Sequence, residues 1–199
     1  MSVIGAGQKA ALLEAFHTAV ALLPQNLRNG LVLVGGTSLL SLGGNRKTED
    51  VDIAVTAASL HAFYAAAAND HRFKKGGMDI WEYTSSSGIR VPFEFLSQGG
   101  GYVPVIMAAR EIVAGGGMRA GLGELAIMKA RTWLARDDEK DLEDFKFLLT
   151  KMHESGEGFG RIVLLPGDGD EIGDLEALTT AGEDVGGRHL ALLLKILKL

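Results

Sequence analysis

Asp50 and Asp52, separated by a single residue, are the side chains whose type and spacing speak most directly of chemistry. They open a short apolar run, Val51 to Val55, that reads as a strand. Residues two apart on a strand share a face, so the two carboxylates converge. Like charges that close repel unless a proton or a cation intervenes. Magnesium takes hard oxygen ligands and commonly uses one or two carboxylates together with phosphate oxygens, which makes the pair a candidate metal site. Upstream, Gly35-Gly36-Thr37-Ser38 follows a second apolar run, Leu31 to Val34. Paired glycines between a strand and a helix present backbone N–H groups with no side chains in the way, at a helix end whose dipole favours anions. Thr37 and Ser38 either add hydroxyl donors to a phosphate or cap the short helix they begin. Arg46 either steers phosphate or balances Glu49 and Asp50. Alone, an Asp-x-Asp pair is more often a solvated strand end; its distance from a glycine turn is what gives it meaning here.

The elements that must position these residues follow from periodicity. Leu12, Phe16, Val20 and Leu23 recur at helical spacing from about Gln8 onward, and Pro24 ends that helix. Leu31 to Val34 is a buried strand, and Thr37 to Leu40 begins a short helix before the Gly43-Gly44-Asn45 loop. Ser59 to Ala68 is a further helix with Ser59 as its cap. Met78 to Thr84 and Ile89 to Leu96 read as paired strands joined across Ser85 to Gly88. On the second, Ile89, Val91, Phe93 and Phe95 share one face, and Arg90, Pro92 and Glu94 the other. Another short strand is expected within Tyr102 to Val113. Leu122 to Arg136 and Asp138 to Met152 are strong helices, the second carrying Leu142, Phe145, Leu148, Leu149 and Met152 on one stripe. Beyond them come a loop around the Ile162 to Leu165 run and a terminal helix from His189 to Leu199. The fold class expected is α/β (α+β): a mixed sheet flanked by helices over residues 1–120, then a helical part over 121–199 packed on it.

Lys129 can be read on its own. It lies between Leu125 and Trp133 at helical spacing, on a stripe expected to face inward. An inward lysine needs an anionic partner. That partner is either a phosphate tail or Asp141; for Asp141 and Asp144, the alternative to a site role is a salt bridge that packs two helices.

Composition narrows the field. The chain of 199 residues, 47% hydrophobic and 23% charged, is ordinary for a folded domain. With no cysteine, disulfides and thiolate metal sites are excluded. The histidines are scattered without ligand spacing, which speaks against zinc. A formal net charge of −5 with no dense Lys/Arg cluster argues against long DNA or RNA as partner. No apolar run reaches the roughly 20 residues of a membrane span, and the start lacks a secretory layout, so a cytoplasmic setting without membrane contact is the expectation.

The strings Val34-Gly35-Gly36-Thr37-Ser38-Leu39-Leu40 and Arg46-Lys47-Thr48-Glu49-Asp50-Val51-Asp52-Ile53 resemble the nucleotidyltransferase superfamily. Its motif is Gly-Gly-Ser/Thr, a gap of about ten residues, then Asp-x-Asp. They look like the AbiEii-type and minimal members, many of them toxin-like. Leu125 to Arg131, then Arg136, Asp141-Leu142 and Asp144, is similar to that group's lysine-bearing helix and the helix after it. The resemblance spans roughly residues 31–152. It implies magnesium (or manganese) on Asp50 and Asp52, a nucleoside triphosphate held by Gly35, Gly36, Thr37, Ser38, Arg46 and Lys129, and transfer of the nucleotidyl group to an acceptor hydroxyl. The acceptor could be a small molecule, a protein side chain or an RNA end. A third carboxylate on a later strand is also implied. Glu94 is the first candidate, being on the polar face of its strand, and Glu82 the second. The family often has aspartate there, so two rival readings stay open: a catalytically silent binding or regulatory module, and the same scaffold remodelled for another ligand or reaction.

Overall fold

The computed structural model describes residues 3–77, 80–99, 111–113, 116–159 and 173–197, with the single positions Val103, Ile106 and Leu164. Contacts divide the chain into two compact units. The first takes in Met1–Val103 and Arg110–Ala120, the second Pro104–Ala109 and Gly121–Leu199.

The first unit is built on a mixed sheet that has seven strands among the described residues. They are β1 (Leu31–Leu33), β2 (Val51–Val55), β3 (Phe73–Lys75), β4 (Trp81–Thr84), β5 (Arg90–Ser97), β6 (Glu111–Val113) and β7 (Gly117–Arg119), in the spatial order β3-β4-β5-β2-β1-β7-β6. β2 runs parallel to β5 and β1 parallel to β7; the other neighbours are antiparallel. The expected mixed sheet is therefore present, with a β4–β5 hairpin across Ser85 to Gly88.

Alternation along the strands gives the sheet its two characters. Val51, Ile53 and Val55 of β2, with Val91 and Phe93 of β5, join the hydrophobic core. That core includes Leu12, Phe16 and Val20 of α1 (Ala6–Leu22) and Phe63 of α3 (Ala57–Ala67). Phe63 is its hub: its ring lies 5.5 Å from Phe73, 5.8 Å from Trp81 and 4.9 Å from Phe95. Such offset and edge contacts add to the stabilisation from buried area. Asp52 and Glu94, at the intervening positions, stand on the other face.

Two expectations need correcting. The helix assigned to Ser59 begins at Ala57 with Thr56 as its cap, whose hydroxyl accepts from the Ser59 N–H at 3.4 Å. Ser59 is instead buried, and its hydroxyl donates to the Leu27 carbonyl at 2.8 Å. The short helix α2 (Gly35–Ser41) begins on the glycines themselves rather than at Thr37. The strand expected over Met78 to Thr84 is β4 from Trp81; Met78 and Asp79 lie outside the described residues, as does all of the Ile162 to Leu165 run except Leu164.

The second unit carries four helices among its described residues: α4 (Leu122–Arg136), α5 (Glu139–Ser155), α6 (Asp174–Val185) and α7 (Gly187–Leu197). α4 packs on α5 and α6, and α7 on the same two. Glu124 reaches back to accept from the Gly121 N–H at 3.1 Å, satisfying a donor at the start of α4. Asp137, at φ 51, turns the chain, and the Asp138 side chain caps α5 by accepting from Lys140 N–H.

Candidate active site

The parallel register of β2 and β5 sets Asp52 directly opposite Glu94. Asp50 sits just before β2, on the same face as Asp52. One ligand oxygen from each of Asp50, Asp52 and Glu94 lies within 4.8 Å of the others. The two aspartates are half-buried and Glu94 is exposed, so the cluster is walled on one side and open on the other. Three hard oxygen donors at this separation, with room for further ligands, fit a divalent cation such as magnesium or manganese. Glu82 is not in the group: it lies on β4, opposite Pro92 and Lys74, with β5 between it and β2.

The glycine turn serves the carboxylates. Gly35 has φ +59, a conformation that L side chains rarely adopt. A Cβ there would overlap the Asp52 carboxylate and stand 2.7 Å from the Asp52 Cβ. The missing side chain thus admits Asp52 against the turn. Gly36 N–H donates to Asp52 Oδ2 at 3.3 Å, and Val34 N–H to the Asp52 carbonyl at 3.0 Å. At Gly36 a Cβ would meet the Thr48 hydroxyl at 2.7 Å and the Arg46 guanidinium at 3.1 Å, so Arg46 does reach the turn. Arg46 also donates to the Lys47 carbonyl at 3.2 Å. Lys47 stands against Glu49, at 2.6 Å.

Thr37 and Ser38 are fully buried. The Thr37 hydroxyl donates to the Asp50 carbonyl and the Ser38 hydroxyl to the Gly35 carbonyl, each at 2.7 Å. Both side chains therefore lock the turn and the strand entry together. Thr48 belongs with them although sequence reasoning passed over it. Its hydroxyl donates to Asp50 Oδ1 at 3.1 Å, orienting the first aspartate.

Lys129 belongs to the second unit. Its ammonium lies 2.7 Å from Asp141 and 2.9 Å from Asp144, joining α4 to α5. Burial alone would lower its pKa, but the Asp144 and Asp141 carboxylates outweigh that and hold it above the usual lysine value. Nearby, Arg131 on α4 faces the buried Asp174 at 2.7 Å.

No family model matches the chain, and no curated protein matches its sequence. Among solved structures it is similar to JHP933 from Helicobacter pylori, with a TM-score of 0.52 and 18% identity over 97% of this chain and 79% of that one. It is also similar to ANT(2'')-Ia in complex with adenylyl-2''-tobramycin, with a TM-score of 0.48 and 14% identity over 76% of this chain and 92% of that one. Among the described residues no helix is long and apolar enough to cross a membrane.

Proposed function

We propose that the chain is a metal-dependent nucleotidyltransferase that moves a nucleoside monophosphate from a nucleoside triphosphate to an acceptor hydroxyl. One observation carries this reading: three carboxylates from adjacent parallel strands converge within 4.8 Å beside a Gly-Gly turn. The motif strings quoted above, which resemble the nucleotidyltransferase superfamily, support the same assignment. Asp50, Asp52 and Glu94 would hold magnesium or manganese, which when bound supplies charge neutralisation and Lewis acidity at the phosphates.

The chain's own residues then have distinct tasks. The Gly35-Gly36 turn takes Asp52 and Thr48 in against it and so presents the carboxylates and their metal to the phosphates of the nucleotide. Arg46, whose guanidinium lies beside Gly36, steers the anionic tail toward that cluster. Thr37, Ser38 and Thr48 act from behind, holding the turn and both aspartates in place. Glu94, the exposed member, faces the acceptor and takes its proton. As the acceptor oxygen bonds to the α-phosphorus, the bond from that phosphorus to pyrophosphate breaks and the electron pair leaves with pyrophosphate. For Lys129 the double pairing with Asp141 and Asp144 favours the structural one of its two readings.

The test is thermal unfolding with each nucleoside triphosphate, with and without magnesium or manganese, in the native chain and in Asp50→Asn/Asp52→Asn. A ligand at a hundred times its Kd stabilises the folded state by about 2.7 kcal/mol. The expected result is a rise in midpoint that needs both metal and nucleotide and vanishes in the double variant. No rise with any nucleotide at millimolar concentration overturns the assignment.

A further inference from the structure

A cavity of about 470 Å³ opens in the first unit between the start of the chain, the approach to β2 and the start of β5. That volume is in the range of small-molecule sites. Its walls come from three places: Ile4 and Gln8 near the start of the chain, Lys47 and Glu49 on the approach to β2, and Arg90 and Pro92 of β5. The sheet register explains the opening. β2 begins at Val51, opposite Phe93, so Arg90 to Pro92 run past its end with no β2 residue beside them. Glu49 immediately precedes Asp50, and alternation puts Arg90 and Pro92 on the face of β5 that carries Glu94. At about 3.3 Å per residue, Pro92 and Arg90 stand roughly 7 and 13 Å along the strand from Glu94. Glu94 does not itself line the cavity, but Pro92, two residues before it on the same face of β5, does.

The charge of that surface is specific. Lys47 is matched by Glu49 at 2.6 Å. Arg90 is exposed and has no ion-pair partner among the described residues. The first turn of α1, which begins at the Gly5 and Gln8 wall, carries no acidic residue and no side-chain cap, so its backbone dipole adds to the positive field. A polynucleotide would need a broad basic face. A small molecule with one anionic group needs only Arg90.

We infer that this cavity is the acceptor subsite, and that it takes a small hydroxylated molecule bearing a phosphate or carboxylate, with the anionic group on Arg90 and the hydroxyl toward Glu94. This rests on the nucleotidyltransferase reading above. Arg90 and Pro92 are then binding residues that select the acceptor; Glu94 touches its reacting oxygen.

The experiment is calorimetric titration at constant ionic strength, without nucleotide or metal, so that it reads the subsite apart from the carboxylate cluster. Glycerol 2-phosphate is the phosphate probe, glycerate the carboxylate probe and glycerol the neutral control. The native chain, Arg90→Gln and Asp50→Asn/Asp52→Asn are compared, with thermal unfolding in parallel to verify that each variant folds. The expected result is binding of at least one anionic probe, with glycerol much weaker. Arg90→Gln weakens that binding on the order of tenfold or more, as loss of a charge-assisted hydrogen bond should, and the double aspartate variant retains it. Three outcomes overturn the inference. Neither anionic probe binds; or glycerol binds as well as they do; or Arg90→Gln leaves their binding intact. A fourth overturns it from the other side: if Arg90→Gln abolishes the magnesium–nucleotide rise in midpoint, Arg90 holds the nucleotide and not the acceptor. Failure of that rise in the native chain, with anion binding intact, sinks the nucleotidyltransferase reading while leaving an anion site at Arg90.

Discussion

Gly35→Ala tests whether the glycine turn exists for the sake of Asp52. Two effects add. The residue has φ +59, and an L side chain in that conformation costs roughly 1–2 kcal/mol. Its Cβ would also overlap the Asp52 carboxylate and lie 2.7 Å from the Asp52 Cβ. Crowding of this kind costs about 1–3 kcal/mol. Urea unfolding should therefore show a loss of roughly 2–5 kcal/mol, as a lower midpoint with an unchanged slope. In an Asp52→Gly background the second effect has nothing to act on, and only the backbone share of roughly 1–2 kcal/mol remains. The cycle should thus report a coupling of about 1–3 kcal/mol. If Asp52 relieves the contact by swinging away, stability falls less, but manganese affinity falls with the displaced carboxylate. Additivity of the two substitutions within about 0.5 kcal/mol, together with unchanged manganese affinity, would refute the proposed contact.

Two other perturbations separate the site from the scaffold. Glu94→Gln keeps the shape but removes the proton acceptor, so nucleotidyl transfer should fall about a hundredfold or more while the nucleotide-dependent rise in midpoint survives better than in Asp50→Asn/Asp52→Asn; unchanged turnover would remove Glu94 from the mechanism. Lys129→Met strands two buried carboxylates in the second unit and should destabilise the chain by about 3–5 kcal/mol at neutral pH. Because the folded-state pKa of Lys129 is raised, its contribution is complete below the ordinary lysine range and fades only as pH climbs through the raised value. Urea midpoints of native chain and variant should stay apart up to about pH 10 and converge only above it; convergence already at pH 8 would contradict the pairing.

The sheet's centre was readable because burial and pattern coincide there. In β2 and β5 the residues facing the core are apolar, so the faces of the strands, and with them the convergence of Asp50 and Asp52, follow from spacing, whereas a third carboxylate at Glu94 was implied by the resemblance. The outer strands were less so: β6 falls within the short strand expected over Tyr102 to Val113, but β3 and β7 do not announce themselves. In β3 only Phe73 is buried, while Lys74 and Lys75 are exposed, a composition that guards an edge but reads as a loop. β7 contains Arg119, a fully buried arginine, and Gly117, where a Cβ would strike the Phe16 ring; neither residue type announces a strand. α6 hides behind Thr179, Thr180 and Gly182, residues that weaken a helical pattern, and Gly182 is there to let Leu193 of α7 close in. At the site itself, residue types pointed to the carboxylates but not to what positions them. That Gly35 makes room for Asp52, that Thr48 backs Asp50, and that Arg90 stands past the end of β2 are facts of register and close approach, and no local pattern contains them.

The parallel pairing of β2 with β5 also bears on how the molecule comes into being. α3, β3 and β4 intervene in the chain between the two strands, so no short fragment can bring Asp52 beside Glu94. The acidic cluster can therefore arise only at the step that closes this long connection, one of the slower kinds of event in folding because chain entropy is lost before the contacts form. The mutual repulsion of three carboxylates falls on that same step. A divalent cation present while the chain collapses would relieve it there, so an ion of the kind proposed for the finished site would also hasten its assembly.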